Sequence, residues 1–182
     1  MPFDHDTESS LLAAVALVNS AEEPDTLTSV AALDAFYAEH AYTGSRTHDQ
    51  AELDEVRALR APLRTLLTST RDDAVAIVNR MLSEAGAVPQ LVRHDGEDWH
   101  LHATERTASF ATRIAVETAM AMVDVIRADE MSRLDLCADE TCGGVVLDLS
   151  RNRSRRFCST ACGNRNAVAA YRARQTGGGH QN

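Results

Sequence analysis

At 182 residues the chain is sized for one or two small domains, which excludes a large multi-domain enzyme. Its 27 carboxylates outnumber 18 arginines, lysine is absent, and the formal net charge is −9. The longest apolar run, Leu11 to Val18, is far shorter than the roughly 18 residues a membrane-spanning helix needs. Asp4, Asp6 and Glu8 stand where a secretory or transit peptide would be basic, so the expected compartment is the cytoplasm.

Residues 8–19 carry Leu11, Val15 and Val18 at helical spacing, and Pro24 follows the break after them. A second helix is expected from caps at Asp25 and Thr26, with Leu27, Val30, Leu33 and Phe36 on one face and an end near Gly44. A third starts near Thr47 or His48, with acids early and Arg57, Arg60 and Arg64 later, an order that suits the helix dipole, and Pro62 kinks or divides it. Residues 72–85 form a fourth, with Gly86 as its stop. The period then changes. Residues 88–103 read as a β-hairpin turning at Asp95-Gly96, which sets Val92 opposite Trp99 and Arg93 opposite Asp98. A long helix follows from Thr104 to about Ser132, through Phe110, Ile114, Met122 and Val125.

Charge divides the chain. Residues 1–136 hold 11 arginines and 24 acids, net −13, whereas 137–182 hold seven arginines and three acids, net +4. All four cysteines lie in the basic segment, as Cys137-x4-Cys142 and Cys158-x3-Cys162. Two close thiol pairs joined by a short loop are the usual way to encode a four-thiolate zinc site. A pair of disulfides is the competing reading, and a reducing compartment argues against it. Gly143 and Gly144 permit a tight metal-binding turn, 145–149 reads as a strand, 150–154 as a turn, and a helix is expected to carry Cys158 and Cys162 on one face of its first turn. One Zn²⁺ held by Cys137, Cys142, Cys158 and Cys162 would be structural, since four thiolates leave no open coordination position. It would also stabilise a segment too small to build its own core.

The expected fold is therefore mainly α. An acidic helical domain with one hairpin spans 1–133, a treble-clef-like zinc module spans 134–175, and a flexible tail spans 176–182.

The segments Cys137-Ala-Asp-Glu-Thr-Cys-Gly, Leu147 to Cys158, and Cys162-Gly-Asn-Arg165 resemble the CGNR zinc-finger family. The acidic residues 1–133 are similar in length and pattern to the ABATE domain that usually precedes such a finger, and Leu17-Val-Asn-Ser20 resembles its opening element. The second cysteine pair is separated by three residues where many relatives have four, and Phe157 stands where Trp is common. The resemblance implies a stress-linked bacterial transcription regulator.

The arginines fit that implication. Arg151, Arg153, Arg155 and Arg156 precede Cys158, and Arg165, Arg172 and Arg174 follow it. Guanidinium forks chelate phosphate oxygens or guanine edges, and Asn164 or Asn166 can address adenine, so this set is the expected DNA surface. Val168 and Tyr171 are expected to pack inward and leave Arg165 and Arg172 outward, while Arg155 or Arg156 is the candidate donor to a cysteine sulfur. A −13 body repels DNA, so a binding-competent form is expected to hold the two domains apart, and a homodimer would double the phosphate contacts. The alternative is a zinc-dependent protein–protein adaptor. An enzyme is not expected, because no phosphate loop, HExxH or Gly-x-Ser-x-Gly elbow occurs. A small-molecule pocket in the acidic domain, lined by Trp99, Phe110 and Met122, is a further expectation, and His94, His100 and His102 read as exposed hairpin histidines.

Overall fold

The computed structural model describes residues 3–93 and 99–177. Five helices come first: α1 (His5–Asn19), α2 (Val30–Glu39), α3 (Gln50–Ala58), α4 (Arg60–Leu67) and α5 (Arg71–Glu84). A two-stranded sheet, β1 (Gln90–Val92) and β2 (His100–His102), leads to the long helix α6 (Phe110–Arg127). After a 3-10 turn, β3 (Leu134–Leu136) and β4 (Val145–Leu147) form a second antiparallel pair, and α7 (Thr160–Gly177) ends the described chain. No helix among the described residues is long and apolar enough to cross a membrane.

Local chemistry sets most helix boundaries. The side chains of Ser29, Asp49, Thr70 and Ser109 each accept a backbone N–H of the first turn of α2, α3, α5 and α6, which satisfies a donor the helix itself cannot pair. The expected caps of α2 thus give way to Ser29. Asp25 instead binds the Leu27 N–H and the Arg60 guanidinium. That helix ends at Glu39, short of Gly44. The expected third helix is divided at Leu59, and Pro62 sits in the first turn of α4, where no N–H is missed. Gly86 takes φ +58° after α5, a left-handed conformation that glycine adopts without a Cβ clash. α6 begins at Phe110, later than Thr104, where the Ser109 side chain caps it.

α6 is the central rod, packed on both α1 and α5. Leu11, Leu17, Leu33, Leu53, Val56, Leu63, Leu66, Ile114 and Met122 are fully buried around it. Phe110 fills the α2–α6 corner, with Tyr37 and Tyr42 edge-on to its ring and the guanidinium carbons of Arg46 and Arg113 at 4.9 and 5.5 Å from its centroid. Phe110 and Met122 are therefore core residues.

The first hairpin is offset by one residue from the expected register. Val92 pairs with His100, Leu91 with Leu101 and Gln90 with His102. A one-residue slip exchanges faces, so Val92 and Trp99 are not partners. The Asp95-Gly96 turn, Asp98 and His94 lie outside the described residues.

β4 has two faces. Val145 and Leu147 join the helical core together with Leu134, while Val146 packs among the cysteines. Alternation along one strand thus seats the cysteine segment directly on the helical body.

Candidate metal centre

Four sulfurs converge at the end of the β3–β4 pair. The Sγ atoms of Cys137, Cys142, Cys158 and Cys162 all lie within 4.8 Å of one another. Cys142 and Cys158 are 3.5 Å apart and Cys158 and Cys162 are 3.6 Å apart. A tetrahedral ion with metal–sulfur distances near 2.3 Å sets its sulfurs about 3.8 Å apart, so the cluster already has the dimensions of a four-thiolate site.

Cys137 and Cys142 lie on the β3–β4 turn. It is closed by the Cys137 N–H donating to the Gly144 carbonyl at 2.8 Å and the Cys142 N–H donating to that of Asp139 at 2.8 Å. Gly144 is required sterically: a Cβ there would stand 2.9 Å from the Cys158 sulfur and 3.3 Å from that of Cys142. Cys158 does not lie in the helix, contrary to the spacing argument. It precedes α7, and Ser159 takes the capping position by accepting the Cys162 N–H at 3.2 Å. The pair therefore approaches the ion from a loop and from a first helical turn.

Donors surround the sulfurs. The Gly144 and Cys158 N–H groups reach the sulfurs of Cys142 and Cys137 at 3.4 Å each. The Ser159 hydroxyl and the Arg165 guanidinium reach that of Cys162 at 3.3 and 3.1 Å. Burial raises the Cys142 and Cys158 thiols, whereas the Ser159 hydroxyl leads the causes that lower Cys162. Metal-bound thiolates relieve that burial penalty by sharing charge with the cation, and the N–H and O–H donors orient and stabilise them.

The arginine that donates to a sulfur is thus Arg165, in place of the expected Arg155 or Arg156. Its guanidinium also binds Asp139 at 2.7 Å. Asp139 is held below the usual carboxylate range chiefly by the Thr141 hydroxyl and N–H, with Arg165 adding to them. Arg165 therefore ties the knuckle to α7. Arg155 donates to the carbonyls of Phe157 and Cys158. Arg153, at φ +48°, pairs with Glu130 at 2.8 Å and reaches the Ser132 hydroxyl. Arg151, Arg156 and Arg174 are exposed and make no ion pair among the described residues; Arg172 and Asn164 are exposed as well. Val168 and Tyr171 are 48% and 58% exposed and do not pack inward. Thr176 and Gly177 continue α7 into the expected tail, and 178–182 lie outside the described residues.

The helical body holds the knuckle by polar contacts that sequence spacing does not reveal. The Asn19 amide donates to the Val145 carbonyl at 2.8 Å and accepts the Val145 N–H at 2.6 Å, acting as a one-residue strand partner for β4. Glu22 accepts the Gly143 N–H at 3.0 Å, and Arg64, which also faces Glu22, donates to the Gly143 carbonyl. Asn19 belongs to the Leu17-Val-Asn-Ser20 stretch, the one available signal for this contact.

A four-cysteine finger docked on an acidic helical body is the class of protein that fold and site define. The chain belongs to the ABATE family, described as "Putative stress-induced transcription regulator", whose model matches residues 12–129. The CGNR zinc finger model matches residues 133–175. No curated protein matches the chain.

Proposed function

We propose that the protein is a transcription regulator in which a structural zinc ion braces α7 for binding to DNA. The observation that carries this reading is the exposure of α7. From Asn164 to Gln175 every residue except Asn166 is exposed, while the helix start is fastened among the cysteines. A helix with side chains is about 10–12 Å across, and the major groove is about 12 Å wide. Arg172, Arg174 and Asn164 lie on that helix, and exposed Arg151 and Arg156 lie on the segment between β4 and Cys158, a set able to supply phosphate contacts around a base contact. Arg165 braces the knuckle. Because the finger is docked on the body, the acidic residues are kept from DNA by the projection of α7 and not by separating two free domains.

The test is selection of genomic fragments by the zinc-loaded full chain at two salt concentrations, beside an Arg172→Ala, Arg174→Ala variant. Log affinity is expected to fall with log salt by about 0.9 per phosphate neutralised, with a shallower slope in the variant. A zinc-loaded chain with no salt-dependent DNA binding overturns the reading. Exposed Val168 and Tyr171 favour a second reading, a zinc-dependent protein adaptor or homodimer joined through α7. It predicts that Tyr171→Ala abolishes association while the arginine variant does not.

A further inference from the structure

A second site lies at the opposite end of α1 from the metal centre. The first turns of α1, the β1–β2 hairpin and one flank of α6 enclose a cleft of about 470 Å³, within the range of small-molecule sites. One wall is apolar. Leu91 and Leu101 pair directly across the strands and so share a face, and that face lines the cleft together with Trp99. These three side chains are 67%, 53% and 63% exposed, a contiguous apolar surface with no cover among the described residues. Val116 and Met120 of α6 continue it.

The other wall is acidic. Asp4 immediately precedes α1 and Asp6 lies in its first turn, while Glu117 and Asp124 come from α6, against Arg127 and His5 as the basic residues of the lining. Asp124 already accepts the Thr7 hydroxyl at 2.7 Å. Glu117 is only partly exposed, and no hydrogen bond satisfies its carboxylate among the described residues.

We propose that this cleft binds a lipophilic organic cation, whose apolar body lies on Leu91, Trp99 and Leu101 and whose charge is neutralised by Glu117 and its neighbouring carboxylates. An anion is repelled by four carboxylates, and a neutral apolar ligand leaves Glu117 unsatisfied.

Burial pushes Glu117 up to about 7, with Asp6 adding to the rise and Arg113 opposing it. The remaining charged or titratable groups around it are Asp4 just before α1, His5 of α1, Asp124 and Arg127 of α6, and the Tyr42 phenol behind it; the described part of the hairpin contributes no ionisable group to the cleft. Cation binding near neutrality therefore displaces a proton, and affinity rises with pH until Glu117 is ionised in the free protein.

Trp99 is the sole tryptophan, so intrinsic fluorescence of the metal-loaded full chain reports directly on the cleft. Tetraphenylphosphonium and tetraphenylborate, alike in shape and opposite in charge, are the probes. The cation is expected to give a saturable fluorescence change at least tenfold tighter than the anion, tightening between pH 6 and 8. Glu117→Gln should lose most of that preference and the pH dependence. Leu101→Ala, at an exposed position, should weaken binding several-fold without altering the melting curve. Equal affinity for the two ions overturns the proposal even if the Glu117 variant fails to fold, as does unchanged pH-dependent binding by a folded Glu117→Gln. The inference is independent of the nucleic-acid reading, which DNA titration of the same preparation tests separately.

Discussion

The two ends of the molecule are held by different physics. The helical body buries a large cluster of Leu, Val, Ile and Phe side chains around α6, whereas the finger buries Val146 among four sulfurs, with Phe157 packed beside them. Apolar burial scales with the area removed from water, so the body carries its own stability. The finger cannot, and its stability rests on its contacts with α1 and on whatever ion its four thiols would hold.

Metal removal separates the two most sharply. Structural zinc contributes on the order of 10 kcal/mol of binding energy that becomes folding energy. Chelation should therefore expose residues 137–175 to protease while the helical circular dichroism of α1–α6 persists; loss of both together would mean that the body is not autonomous.

Glu117 probes the body alone. Its pKa is raised from 4.5 to about 7, so the folded state holds more protons than the unfolded state between those values. The protonated group costs nothing below pH 4.5, and stability falls as pH rises through 7, by up to about 3 kcal/mol. Glu117→Gln should remove that slope and be the more stable protein at pH 8, as denaturant titrations at several pH values would reveal.

The join between the regions is next. Asn19→Ala removes both hydrogen bonds to Val145 and leaves a buried N–H and C=O unpaired, a loss of about 2 kcal/mol. Faster metal release without a large change in the melting of α5 and α6 is expected from hydrogen exchange. Arg165→Ala acts inside the finger by taking away the sulfur donor and the Asp139 tie. Zinc affinity should fall about tenfold or more, measured by chelator competition, and Arg165→Lys should restore it only in part because lysine cannot make both contacts as a planar fork. The smallest effect belongs to Arg174→Ala, where no change in melting or metal affinity is expected.

Helix existence, the Gly86 stop, the division near Pro62 and the clustering of the cysteines were readable because each depends on residues a few positions apart. The misreadings have physical causes. Asp25 looks like a cap until Arg60, 35 residues away, claims its carboxylate. Val168 and Tyr171 have the spacing of a buried stripe, but no element among the described residues covers them. That Arg165 also braces the knuckle is likewise illegible from spacing, because Asp139 lies 26 positions away.

Cysteine spacing, capping residues and the segregation of charge alone determined that this chain is an acidic helical body followed by a basic four-cysteine finger, because those are local properties of the polymer. Only the tertiary structure decided that Asn19 completes β4, that Arg165 serves the metal and that Trp99 and Glu117 face one cleft. Such contacts join residues up to 126 positions apart, and no periodicity records a pairing that exists only once the core has brought its elements together.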